Sequence, residues 1–215
     1  RPAMARPNLT VVTHALVHKV LLEGTTATGV RYEQGGQVQE AKAAKEVILS
    51  AGSIGSPHLL QLSGIGKREV LEQAGIEVKH ELPGVGENLQ DHLEFYFQFR
   101  CQKPVSLNGK LDWWNKLKIG VEWYLFKTGL GATNHFEAGG FIRSKAGVKH
   151  PDLQYHFMPA AINYNGSKAA EKDGFQAHIG PMRSKSRGTV RLASGNPKDR
   201  PIIDPNYMSH PDDWE

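Results

Sequence analysis

The apolar positions of the first fifty residues fall in short β-rich runs, not at helical spacing. Leu9-Thr10-Val11-Val12-Thr13, Leu16 to Leu22, Ala27 to Glu33 and Val38 to Ala43 each have the length and composition of a strand. Gln34-Gly35-Gly36-Gln37, between the last two, predicts a hairpin turn. Val47-Ile48-Leu49 is a continuous apolar run between a charge pair and Ala51-Gly52, the pattern of a strand covered on both faces. Ser56-Pro57 predicts a helix start, because a serine oxygen can accept from free N–H groups and proline at the first helical position loses no hydrogen bond. Leu59, Leu60 and Leu62 supply the core-facing stripe of that helix, and Gly64 can adopt the left-handed conformation that ends it. Lys67 to Ala74 predicts a second short helix ended by Gly75, followed by a strand over Ile76 to His80.

From residue 93 the texture changes. Leu93 to Cys101 reads as an aromatic strand with Phe95, Phe97 and Phe99 on one face and Tyr96 on the other. Asp112 to Lys127 carries Trp113, Leu117, Val121 and Tyr124 at helical spacing, a stripe that more often faces a core than a cofactor, and Gly129 to Gly131 breaks it. Ala138 to Arg143, Leu153 to Pro159, Phe175 to Met182 and Gly188 to Ala193 predict further strands of a mostly antiparallel sheet with helices on one face. Ala161 to Asp173 is the long polar loop.

Composition narrows the class. The 215 residues have room for one large domain or parts of two. With 39% hydrophobic and 22% charged residues the sequence is globular, not disordered. The net charge of +4 comes from 26 basic residues scattered among 22 acidic ones, which gives no nucleic-acid footprint. Arg183, Lys185, Arg187 and Arg191 form the one basic cluster; lacking interleaved aromatics, it reads as a solvated turn before a strand. Cys101 is the single cysteine, so no internal disulfide forms and a reducing compartment is expected. No apolar run approaches the ~20 residues of a membrane-spanning helix, and no signal peptide is visible. The opening Arg1-Pro2 and the closing Asp212-Asp213-Trp214-Glu215 lead us to expect a piece of a longer protein.

A strand, a glycine turn and a helix start together form the place where α/β proteins hold phosphates and dinucleotides, although tight packing alone would also call for Gly52. The full string Gly52 to Gly66, G-S-x-x-S-P-x-L-L-x-x-S-G-I-G, resembles the second signature of the glucose–methanol–choline (GMC) flavin oxidoreductases. Arg6-Pro7-Asn8-Leu9, Val20 and Ala27-Thr28-Gly29-Val30 are similar to a succession in that family, as is Leu82-Pro83-Gly84-Val85-Gly86-Glu87-Asn88-Leu89-Gln90-Asp91-His92. The resemblance implies an FAD site touched by the Val20 backbone, Ala51, Gly52, Asn88, Asp91 and His92. Read as residues alone, Val20 is a core strand position, and Asp91-His92 is either a salt-linked loop pair or half of a catalytic dyad. Gly84-x-Gly86 is no dinucleotide fingerprint, because the next glycine position holds Leu89 and no helix pattern follows.

Asn134-His135-Phe136-Glu137-Ala138-Gly139-Gly140-Phe141 is the densest cluster of the second half. A buried carboxylate there would need a compensating cation; a surface salt-bridged glutamate at a strand start is the plainer alternative. His135, Glu137 and His156 make a poor metal set, since no cysteine pair accompanies them and nothing fixes their geometry. The cluster is similar to the choline-oxidising GMC members, as are Gln154 to Phe157, Ala161 to Gly166, Ser186 to Leu192 and Pro205-Asn206-Tyr207, so the resemblance covers essentially the whole chain. It implies Glu137 on the trimethylammonium group of choline, with His135, Phe136, Tyr155 and Asn163 around the substrate. A histidine that related oxidases carry in the loop after His156 has no counterpart in Asn163-Tyr164-Asn165. No G-x-G-x-x-G is present, and the family's catalytic histidine is expected beyond residue 215, so no catalytic residue is assigned and the chain alone is expected to be inactive.

The implied fold is the end of an FAD-binding Rossmann-like domain over 1–92, followed by a substrate domain over 93–215 built on the antiparallel sheet. The implied reaction is FAD-dependent oxidation of choline to betaine aldehyde, and onward to glycine betaine. Choline is then the small-molecule partner, with no metal and no nucleic acid, and peripheral membrane or electron-acceptor contact left open. The expected place is the cytoplasm or the inner face of a bacterial membrane. Two rivals stand beside this: another GMC alcohol oxidoreductase, and a non-catalytic module that binds small cations without flavin.

Overall fold

The computed structural model describes residues 2–136, 138–163 and 173–214, and the chain falls into two units, 1–90 with 185–215 and 91–184. In the first unit β1 (Ala15–Glu23), β2 (Thr26–Gln34) and β3 (Gln37–Lys42) form an antiparallel meander in that order. The β2–β3 turn is the expected one, with Gly35 and Gly36 both at positive φ, 59° and 79°. The run Leu9 to Thr13 is a correction: it is exposed, and no strand among the described residues supplies it with a ladder. Val47-Ile48-Leu49 is another. It forms no strand, and Ile48 is 75% exposed, because no described strand lies beside it to pair with its backbone.

α1 (Gly52–Leu62) begins four residues before the predicted Ser56-Pro57 start. Ser56 Oγ does not cap; it accepts from the Ala51 N–H (3.1 Å), closing the turn from which Gly52, at φ 77°, launches the helix, and Pro57 lies inside it. α1 ends at Gly64 as expected, with the Gly64 N–H bonded to Gln61 O (2.9 Å). β4 (Ile65–Gly66) and β5 (His80–Glu81) flank α2 (Arg68–Gln73) and pair in parallel. The strand expected over Ile76 to His80 shrinks to this short bridge, because Ala74, Ile76 and Val78 instead pack on the core of Leu62, Leu71 and Leu192.

The second unit is built on β6 (Phe95–Arg100), α3 (Trp113–Phe126), β7 (Ala138–Ile142), β8 (Leu153–Met158) and β9 (Gly174–Pro181). The four strands form an antiparallel sheet in the order β6-β9-β8-β7. Register sets Tyr96, His178, His156 and Gly139 in one row across it, and Phe97, Ala177, Phe157 and Ala138 in the next. Neighbouring rows project to opposite faces. On the face of Tyr96 the β9 residues are polar and buried, Gln176 at 0% and His178 at 1% exposure, whereas Phe95, Phe97 and Phe99 on the other face are open.

Asp112 caps α3 by accepting from the N–H groups of Trp114 and Asn115, both at 3.1 Å. The stripe Trp113, Leu117, Val121 and Tyr124 does not face a core. No residue of α3 is buried; Gly131 of the short turn Leu130–Ala132 lies against its Ile119 and Trp123 side. No helix among the described residues is long and apolar enough to cross a membrane.

β10 (Thr189–Arg191) and β11 (Ile202–Asp204) pair antiparallel and belong to the first unit, so residues 185–215 part from the 93–184 segment with which the strand pattern had grouped them. The reason is local. Leu192 enters the Leu62–Leu71 core, and Gln61 of α1, 1% exposed, clasps the strand: its Nε2 donates to Val190 O (2.9 Å) and its Oε1 accepts from the Leu192 N–H (3.0 Å). The Val190 N–H donates to Gly86 O (2.7 Å), and Leu89 and Gly188 exchange backbone bonds at 2.9 and 2.8 Å. The chain is thus mixed α/β with mostly antiparallel sheets.

Candidate functional site

Val20, Ala51, Gly52 and Asn88 lie in the first unit. Val20 is buried in β1, and its N–H donates to Ser63 Oγ (2.8 Å), whose hydroxyl donates to Leu59 O (2.6 Å). The end of the Gly52–Gly66 string is thereby pinned to the meander. Ala51 and Gly52 stand at the N-terminal end of α1, where first-turn N–H groups have no helical partners. A Cβ on Gly52 would meet nothing within 4 Å, so the approach is open and it is φ, not crowding, that calls for glycine. Ala51 closes one end of an open apolar cleft of about 520 Å³ between segment 46–51 and the meander, lined by Val17, Val30, Val47 and Leu49. Val20, Gly52 and Asn88 do not line it. Asn88 takes a left-handed φ of 61° immediately before the Leu89–Gly188 bridge.

Asp91, His92, His135, Phe136, Tyr155 and Asn163 lie in the second unit. Asp91 Oδ1 accepts from the His92 N–H (2.9 Å), and both residues are exposed. His135 takes φ 64°, with its N–H bonded to Thr133 Oγ1 (3.0 Å), and the Phe136 N–H is bonded to Asn134 Oδ1 (3.1 Å). This turn carries the Phe136 ring edge-on to His156 (5.9 Å, 81°) and to His178 (6.0 Å, 76°). His178 Nδ1 lies 2.6 Å from Glu94 Oε1, and the ring stacks on Tyr96 at 5.6 Å.

Asn163 follows Ala161 and Ile162, which are tied to the same polar face. Ile162 O accepts from Gln98 Nε2 (2.8 Å) and Gln176 Nε2 (2.7 Å), while Asn108 bonds both backbone groups of Ala161 at 2.8 Å. Gln176 Oε1 is buried without a hydrogen-bond partner among the described residues. Tyr155 projects from the opposite, aromatic face beside Phe157. Glu137 and Tyr164 to Gly166 lie outside the described residues.

The structure therefore brings Phe136, His156 and the 161–163 segment to one face and sets Tyr155 apart. Rings and a carboxylate in one place suit a small organic cation, which can be held by opposite charge and aromatic faces. Glu94 and His178 are the members that motif reading missed. Their signal was available: Gln176 and His178 put polar groups at every second position of an otherwise apolar strand.

Residues 1–94 match the family model described as GMC oxidoreductase. The chain is 56% identical over 214 residues to an oxygen-dependent choline dehydrogenase of Brucella anthropi, with 100% of the chain and 39% of the relative covered. It is 55% identical to the protein of the same name from Cronobacter sakazakii, with 99% and 38% covered. The chain thus spans about two-fifths of the length of these relatives. Among solved structures, pyridoxine 4-oxidase from Mesorbium loti aligns at TM-score 0.79 and 27% identity, covering 99% of this chain and 38% of that one. Formate oxidase aligns at TM-score 0.89 and 23% identity over 97% and 42%, a likeness of fold. Residues 1–94 are thus similar to the GMC oxidoreductase family, and the similarity to oxygen-dependent choline dehydrogenases continues through the rest of the chain.

Proposed function

We propose that the chain is part of an FAD-dependent alcohol oxidoreductase that converts choline to betaine aldehyde, and onward to glycine betaine, in the cytoplasm or on the inner membrane face. The observation that carries this reading is the 55–56% identity to oxygen-dependent choline dehydrogenases, sustained over essentially the whole chain. On this reading residues 1–92 complete a Rossmann-like FAD domain, onto which 185–215 fold back, and 93–184 belong to the substrate domain.

FAD, when bound, supplies the acceptor for the hydride that leaves the alcohol carbon. The first unit fits such a group: the unpaired N–H groups at the start of α1 and the open approach at Gly52 suit a pyrophosphate, and the 46–51 cleft suits an apolar ring. Ala51, Gly52, Val20 and Asn88 would hold it, with Asp91 and His92 following in the chain. Choline has no N–H at its cationic end, so only charge and ring faces can hold it there. Glu137 is assigned the charge; His135, Phe136 and Asn163 shape the polar face, and a base must take the hydroxyl proton.

The whole enzyme decides the matter. Purified protein should carry about one flavin per chain, and anaerobic choline should bleach its visible absorbance. Flavin that choline leaves oxidised while another primary alcohol reduces it would move the assignment to a different GMC substrate. Protein that folds without flavin would sink the reading.

A further inference from the structure

Glu94 and His178 have no part in the reading above. His178 occupies β9, inside the sheet, in the row Tyr96–His178–His156–Gly139. A buried imidazole needs a partner for its N–H, and a neutral oxygen would suffice. The acceptor here is the Glu94 carboxylate, 2.6 Å from Nδ1, a charge-assisted length. Such an acceptor fixes which ring nitrogen carries the proton and how the ring is rotated. The fixed ring then carries two neighbours, Tyr96 stacked at 26° and Phe136 edge-on at 76°. Thr133 and Asn134 hold the backbone of the 135–136 turn, but the Phe136 ring, 43% exposed, rests on the edges of His178 and His156.

We infer that Glu94 is a positioning residue: it fixes the His178 imidazole and, through it, the orientation of the Phe136 ring at the polar face of the second sheet. The inference rests on the proposed function only for the identity of the substrate that Phe136 meets. Glu94 acts through another side chain, so its loss should disturb cationic and neutral substrates alike. A direct ammonium contact would instead separate them.

The test uses the whole flavin-loaded enzyme. With 4-fluorophenylalanine at position 136, fluorine-19 NMR reports the ring without substrate. Glu94→Ala should shift and broaden that resonance, while Glu94→Gln, which keeps an oxygen for the Nδ1–H, should leave it near the parent. Kinetically, Glu94→Ala should lower kcat/KM at least about tenfold for both choline and its neutral carbon isostere. Glu94→Gln should recover most of that loss. In a Phe136→Leu background, Glu94→Ala should cost under about threefold more, since the two changes share one route. An unmoved fluorine line, additive losses, or a lower Tm with kcat/KM of the folded enzyme unchanged overturns the inference. A loss confined to choline in Glu94→Gln also overturns it, making Glu94 an ammonium contact. Should the enzyme oxidise some other alcohol, the same cycle on that alcohol still decides Glu94, and only the choline reading falls.

Discussion

Replacing Gln61 with methionine should destabilise the first unit by more than a typical point change. The glutamine is 1% exposed, and its amide acts as a ladder neighbour for β10, giving a proton to Val190 O (2.9 Å) and taking one from the Leu192 N–H (3.0 Å). Both backbone groups belong to buried residues, Val190 at 1% and Leu192 at 7% exposed. Methionine preserves length and volume but offers neither group. Each orphaned buried backbone group costs about 1–3 kcal/mol, so two cost about 2–6 kcal/mol. The more apolar side chain returns about 1 kcal/mol, leaving a net loss of about 1–5 kcal/mol. Against a total stability of about 5–15 kcal/mol that is a large fraction. Urea unfolding followed by circular dichroism measures the global loss, and amide exchange at Leu192 measures the local one. A loss below about 1 kcal/mol with Leu192 still protected would mean that β10 is satisfied elsewhere, and the clasp would lose its significance.

Two further outcomes follow from the same structure, and a third from the proposed function. Gly86 sits at φ 81°, and a Cβ there would run into Val190 O and Gln61 Nε2, so Gly86→Ala should cost roughly 2–6 kcal/mol in urea unfolding; a loss inside 1 kcal/mol would contradict the contact. The Glu33 carboxyl is held below its ordinary 4.5 chiefly by the hydrogen bond from the Lys198 ammonium, so its stabilisation is complete above pH 4.5 and lost as pH falls through the lowered value. Lys198→Met should then lower the urea midpoint slightly at pH 7 and by less as the pH falls below 4.5, and a drop that does not shrink with acid would reject the ion pair. Glu137→Gln in the whole enzyme should raise the KM for choline while sparing its neutral isostere; parallel losses would make Glu137 structural.

The elements set by local rules were legible. The Gln34–Gln37 hairpin, the helix expected from Asp112 and the four strands of the second sheet appear where their patterns put them, because glycine pairs, helical spacing and period-two alternation act over a few residues. What failed depended on partners far along the chain. Val47-Ile48-Leu49 has the composition of a buried strand but no described strand pairs with it, and Trp113, Leu117, Val121 and Tyr124 have the spacing of a core stripe but stay exposed. Apolarity records that a surface should be covered; it does not say by what. The candidate site was half legible for the same reason. The Asn134–Phe141 cluster draws the eye as a string, whereas Glu94 and His178 stand 84 positions apart and meet only through strand register.

That distinction also sorts the glycines inside the family-like strings. Gly64 is held by packing, since a Cβ there would come within 2.5 Å of Glu77 O. Gly86 is held by packing too, against Val190 and Gln61, and no helix directly follows the Gly84-x-Gly86 pair. Gly52 differs: a Cβ there would meet nothing within 4 Å, and it takes a left-handed φ of 77° at the start of α1. A string with many fixed positions therefore divides into residues that close the fold and residues that leave it open. Packing accounts for Gln61, Gly64 and Gly86 without any ligand. It does not account for the open turn at Ala51-Gly52, so within the string the case for a bound anion rests on that turn.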